Sequence, residues 1–414
     1  MKTSTRLLLC GLALAAGTAQ AASAKRDDKV WSAVEAARPA QLKLLEQLVN
    51  IDSGTGDVEG SNKIQGILTA DLKALGMTVE SIPAEAPNLG ANTVATLTGS
   101  GKTRILMIAH TDTVYEAETA KLRPYRTDET HAYGPGVADE KGGVVQGLYA
   151  LKILHDLKFT NFAKITYLIE TSEERGSPGT RKLIDKLLSE ADVELNLEGG
   201  DEPDVLTVWR KGSSTFHIDV KGRPAHAGVA PQDGRNAAME LIHQLAGIES
   251  LPKSGEGLTA NLTVMSAGTR NNIIPENASA QVNVRVRNKA SLDEVEALLK
   301  KNAETTVIPD TKVTVSREAA YPPLVNNPAT DKLAARAQRI YAEIGKTIGT
   351  GGNGGASESA LAADANVPAL DGLGPVGANF HSEKEYMVLA TVSPRLYLLT
   401  RMLMDLGPTP PPKK

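Results

Sequence analysis

Cysteine is almost missing from this chain. The single one, Cys10, falls in the first segment, so the remainder can form neither a disulfide nor a thiolate metal site. Aromatic residues make up only 4%, and the formal net charge is −4, which leaves no basic surplus for nucleic acid. Long apolar runs are lacking too. Residues 7–16 are apolar but too few to span a bilayer, so no membrane partner is expected. Lys2 and Arg6 flank that run on one side and Ala19-Gln20-Ala21 on the other, the order of a secretory signal, residues 1–21, cut before Ala22. Ala22-Ser23-Ala24 offers a second cut, and a lipid anchor on Cys10 is the weaker reading because bulky Leu9 precedes it. The expected location is therefore periplasmic or secreted. With 414 residues the chain exceeds what one core usually holds, about 250–300, so two domains are expected.

Leu42, Leu45, Leu48 and Val49 make a helical stripe after Pro39, and Ile64, Ile67, Leu68, Leu72 and Leu75 make another, closed by Gly76. Strand-like runs at 78–82, 93–97, 105–109 and 165–169 alternate with helical patterns at 144–157 and 180–188, which predicts a sheet covered by helices on both faces. Near Gly212 the style changes. Alternation at 215–220, a helix at 236–248, alternation at 262–266 and 280–286, a helix at 292–303 and a strand at 312–315 give a β-α-β-β-α-β order, which is ferredoxin-like. After Tyr321-Pro322-Pro323 the first style returns, with helices at 330–344 and 394–406, the latter capped by Ser393 with Pro394 in first position. The expected class is α/β: a mixed-sheet domain from 25–212 and 324–407, interrupted by a smaller α+β domain at 213–323. A Pro-rich tail, 408–414, is expected to be disordered.

Five short polar segments carry the chemistry: His110-Thr111-Asp112, Asp139 between Gly134-Pro135-Gly136 and Gly142-Gly143, Glu173-Glu174, Glu198, and His381. The first four follow apolar or strand-like runs, where open α/β sheets place their sites. Imidazole and carboxylate without thiolate suit zinc or a similar divalent ion. His110 is assigned as a ligand with Asp112 orienting its ring. Asp139 has two oxygens with which to bridge two ions. Glu174 is a ligand while Glu173 is the general base, and Glu198 and His381 are terminal ligands of the first and second ion. Taken singly, each segment has a plainer reading: a strand end, a Gly-rich turn, or acids opening a helix. His131, His155, His217 and His243 are expected to be structural.

The motifs AHTDTV (109–114), GPGVADEKGG (134–143), TSEERGSPG (171–179), GRPAHAG (222–228), NNIIPENA (271–278) and HSEKEY (381–386) together resemble the bacterial glutamate carboxypeptidase (carboxypeptidase G type) family of di-zinc peptidases, with its related aminoacylases and dipeptidases. The resemblance runs from about Arg26 to Gly407. It implies a zinc-peptidase catalytic domain, two Zn2+ or similar ions per subunit, and a lid that also makes a homodimer. One ion would be held by His110, Asp139 and Glu198, the other by Asp139, Glu174 and His381, with a cis peptide after Asp139. His226 would match the lid histidine that stabilises the oxyanion of a partner subunit's site. Asn272 and Arg285 would match lid residues that contact a substrate carboxylate, and Lys211 or Arg210 would add charge near it. Glu358, in Gly354-Gly355-Ala356-Ser357-Glu358, stands where many relatives have Asp, and Glu140 replaces an Asp. The expected substrate is a small molecule or peptide with a free carboxylate, from which a C-terminal amino acid, glutamate first, is released from an N-acyl or peptidyl group such as a folate. The alternatives are an aminoacylase or dipeptidase on the same scaffold and, from another class, an exported solute-binding protein.

Overall fold

The computed structural model describes residues 25–412. The leader expected at 1–21, with Cys10, lies outside these residues.

The larger sheet has six strands in the order Thr78–Ile82, Asn92–Thr98, Lys164–Glu170, Arg104–His110, Val193–Asn196 and Ala369–Leu370. The first two pairings are antiparallel and the last three parallel. Period-two alternation divides each strand between two cores. Ile105, Met107 and Ala109 join the core that holds helices Asp28–Val49, Lys141–Asp156 and Val392–Leu406, whereas Leu106 and Ile108 pack on the other face with Ile184, Leu187 and Leu188. Both faces are covered by helices, as the alternation of patterns predicts.

The smaller sheet is antiparallel throughout, in the order Thr259–Ala267, Asn277–Val286, Gly212–Lys221 and Lys312–Ala319. Helices Ala237–Ala246 and Ala290–Ala303 join it, and Phe216, Ile218, Val220, Val282, Val284 and Val286 pack there with Leu241, Val295 and Leu299. This is the ferredoxin-like strand order.

Three local expectations are corrected. The first helix begins at Asp28, not after Pro39, capped by the Asp27 side chain on the N–H groups of Lys29 and Val30. Pro39 sits inside the helix on its exposed side, where water can serve the carbonyl that its missing N–H deprives. The last helix begins at Val392 after Thr391; Ser393 is inside the first turn with its buried hydroxyl unpartnered, so it is not the cap. Pro394 is tolerated there because first-turn N–H groups have no intrahelical acceptor. The start of the supposed tail is held: the Thr409 N–H donates to the Leu406 carbonyl, and Pro411 is buried.

Candidate metal centre

The strands Lys164–Glu170, Arg104–His110 and Val193–Asn196 are parallel neighbours, so their C-terminal ends emerge on one edge of the sheet. Chain continuity then delivers His110, Glu173-Glu174 and Glu198 to that edge. Asp139 comes from the loop before helix Lys141–Asp156. A Cβ on Gly143 would collide with the Leu197 carbonyl, so glycine lets that helix approach the strand end. The Asp139–Glu140 peptide is cis, as the resemblance implied.

His110 Nε2 lies 3.3 Å from Asp139 Oδ1 and 3.3 Å from Glu198 Oε1. The other Asp139 oxygen lies 3.1 Å from His381 Nε2, which is 3.0 Å from Glu174 Oε2. Donors about 2.0–2.1 Å from a tetrahedral zinc stand about 3.3 Å apart, so these separations suit divalent ions. His110 Nε2 is buried without a partner in hydrogen-bonding geometry, an orphan that a cation would satisfy. Two clusters emerge in which every residue offers a donor atom within 4.8 Å of the others: His110 with Glu173 and Glu198, and Asp139 with Glu174 and His381. The residues present fit metal.

Charge tells the same story. Burial opposes the cationic form of His110, but the close carboxylates of Asp112, Asp139 and Glu198 outweigh it and carry its pKa well above the usual value. Hydrogen bonds to Asp139 and Glu174 push His381 up to about 11. Burial, then the Asp139 charge, raises Glu174 to about 8, and burial pushes Glu173 well up. Two imidazoles face an excess of carboxylates, and without a cation they hold protons in its place.

Asp112 serves differently from expectation. The Nδ1 of His110 is 3.0 Å from the Asp112 main-chain carbonyl and 3.5 Å from its carboxylate. The carboxylate instead accepts from the N–H groups of Glu173 (3.0 Å) and Glu174 (3.2 Å) and from Thr55 Oγ1 (2.6 Å).

A cavity of about 740 Å³ opens over the cluster and reaches the smaller sheet, where Ser213, Thr215, His217, Gln281, Asn283 and Arg285 line it. Arg285 is near enough to Glu173 and Glu174 to feel both charges. Arg210 is not free to add charge beside it: its guanidinium is forked onto Asp371 at 2.6 and 2.8 Å and reaches Glu198 at 3.5 Å. Lys211 does not line the cavity; its Nζ donates to the Gly255 carbonyl, and burial together with Arg285 and Arg287 lowers its pKa. His226 and Asn272 are exposed and line no part of this cavity. Of the four histidines expected to be structural, His217 lines the cavity instead, 3.1 Å from Glu318. The backing residues Asn196, Asp371 and Glu385 were missed, although Glu385 lies inside the HSEKEY motif. Glu358 accepts from Asn196 Nδ2 (2.9 Å), whose Oδ1 takes the Glu198 N–H (3.0 Å), and its charge also bears on Glu173 and Glu140.

Residues 106–405 match the model of Peptidase family M20/M25/M40. The chain belongs to this family. M20 enzymes are metal-dependent, and this chain is accordingly a metal-dependent peptidase with a candidate metal site. It is similar to the Carboxypeptidase G2 of Pseudomonas sp. (strain RS-16), 35% identical over 400 residues and 95% of each chain. Solved M20 folds superpose widely. A di-peptidase of Saccharomyces cerevisiae matches with TM-score 0.75 at 15% identity, over 92% of this chain and 98% of that one. The M20 metallo-carboxypeptidase Sso-CP2 of Sulfolobus solfataricus matches with TM-score 0.72 at 16% identity, over 89% and 99%. No helix among the described residues is long and apolar enough to cross a membrane.

Proposed function

We propose that this M20 enzyme is a two-ion carboxypeptidase that releases a C-terminal amino acid, glutamate foremost, from N-acyl or peptidyl groups such as folates. The observation that carries the reading is Asp139, whose two oxygens each face a different imidazole. His110, Asp139 and Glu198 would hold one ion; Asp139, Glu174 and His381 would hold the other. Two zinc or similar ions there supply a water of lowered pKa and Lewis-acid polarisation of the scissile carbonyl. Glu173, held through its N–H by Asp112, accepts the water's proton and returns it to the leaving amine. Arg285 offers a planar fork to a substrate carboxylate, and the glutamate preference draws on the 35% identical carboxypeptidase.

The smaller domain acts as lid and homodimer surface. Its edge strand Thr259–Ala267 is paired on one side only and exposes Leu262, Val264 and Met265, and its helix Ala237–Ala246 exposes Met239 and Ile242. The His226 Nδ1 accepts from the N–H groups of Gly228 and Val229, so a neutral ring carries its proton on Nε2, the form that donates to an oxyanion. His226 and Asn272 are exposed away from their own cavity, which supports delivery to a partner subunit's site. Signal-like residues 1–21 support export to the periplasm or medium.

The test is a hydrolysis panel with zinc supplied: N-acyl glutamates, other N-acyl amino acids and free-amine dipeptides, with the released amino acid identified. Cleavage of dipeptides alone would replace the carboxypeptidase reading with the dipeptidase one. Two ions retained after dialysis are expected; an ion-free, inactive protein would favour solute binding.

A further inference from the structure

Asp112 captures consecutive main-chain N–H groups of the turn that presents Glu173 and Glu174, without facing the cavity itself. One other buried carboxylate does the same on the opposite side of the cluster. Glu385 Oε1 accepts from the N–H groups of Ala138 (3.0 Å) and Asp139 (3.1 Å), and Oε2 accepts from that of Gly136 (3.0 Å). The Tyr115 hydroxyl lies 2.8 Å from Oε2 and 2.8 Å from the Ser382 carbonyl, next to His381. The Glu385 side chain is thus encircled by donors and spans two loops remote in sequence, one carrying Asp139 and the other His381. Neither loop is a strand. The strands that flank them, His131–Tyr133 and Tyr386–Val388, pair antiparallel, but His381 (φ +60°) and Gly136 (φ +72°) stand beyond that ladder, where loop contacts must set the spacing of the tips.

We propose that Glu385 is the positioning residue for the bridging carboxylate: it holds the Asp139 loop and the His381 loop at the spacing that one divalent ion requires. This rests on the two-ion reading of the cluster. Carboxylates gathering main-chain N–H groups make strong, directional bonds. Glutamine keeps the size but turns one oxygen into an NH2, a donor set against donors. The shorter aspartate keeps the charge and loses reach. Glu385 touches no ligand side chain, and its effect passes through the backbone of residues 136–139 and, by way of Tyr115, through Ser382.

The experiment compares the wild type with Glu385→Gln, Glu385→Asp and Tyr115→Phe as full chains. In metal-free protein, hydrogen exchange at the amides of Gly136, Ala138 and Asp139 is expected to be at least about tenfold faster in E385Q, with the strand Lys164–Glu170 unchanged. Zinc titration by equilibrium dialysis is expected to show about 10- to 100-fold weaker binding of the ion that Asp139 shares with His381, and a clearly smaller loss for the ion it shares with His110. The kcat should fall more than KM rises. Y115F, which keeps all three main-chain donors, should fall between the wild type and E385Q. Should E385Q fail to fold, E385D carries the same three readouts. Wild-type exchange together with wild-type affinity for both ions would overturn the proposal, as would equal weakening of both ions. A wild type that binds no zinc, while E385Q still exchanges faster at 136–139, would remove the two-ion reading and leave the loop clamp standing.

Discussion

The two halves of the metal cluster are built by different means. His110 is fully buried at a strand end, and Glu198 follows the neighbouring strand, backed by Asn196 and by Arg210 on Asp371. His381, with half its side chain exposed (52%), stands on a loop, and Glu174 lies in the single 3-10 turn Glu173–Arg175. Strand ends set the first half, whereas the second depends also on buried carboxylates gripping main-chain N–H groups. A ligand pair set by a ladder shares the cooperativity of the whole core, while one set by loops depends on a few hydrogen bonds. The first half should therefore hold its ion more tightly.

The largest effect concerns the residue between the halves. Glu173→Ala is expected to lower turnover by about a hundred- to ten-thousandfold, with ion content by elemental analysis unchanged; retained activity would remove Glu173 as the base. The comparison itself is tested by His110→Ala and His381→Ala. H381A should lose one ion and keep the other tightly, and H110A should leave only a weakly held ion that dialysis removes. If both variants kept one ion equally well, the asymmetry would be wrong. Arg210→Met breaks a buried pair and strands Asp371, an expected cost of about 3–5 kcal/mol in urea unfolding, with the Glu198 half weakened and the His381 half spared.

The smallest effect is pH. Glu174 at about 8 and His381 at about 11 are both raised above their ordinary values of 4.5 and 6.5. Their contributions to the metal-free fold are complete at acid pH and fade as pH rises, through about 8 for Glu174 and about 11 for His381. A cation that replaces those protons removes the loss. The melting temperature gained on adding zinc should thus widen as pH rises from 6 to 9; a constant gap would contradict it.

Much of this was legible in the sequence because the decisive signals are local. Alternation ending at His110, and the apolar runs before Glu173 and Glu198, placed three segments at strand ends. The alternating pattern after Gly212 gave the second sheet. What stayed hidden joins distant residues: Arg210 to Asp371, Glu385 to the Asp139 loop, and Asp112 to main-chain N–H groups rather than to the His110 ring. No local pattern announces a partner 161 or 246 residues away. Pro39 and Ser393 misled for the opposite reason. Each carries a strong local preference that packing of the surrounding helix overrode.

One consequence lies in the strands of the smaller sheet. On Gly212–Lys221 and Asn277–Val286 the odd positions 213, 215, 217, 281, 283 and 285 look into the cavity, and the even positions 216, 218, 220, 282, 284 and 286 fill the smaller domain's own core. Parity thus separates what the enzyme accepts from what keeps it folded. Selection, in nature or in the laboratory, can rewrite one set of letters without disturbing the other.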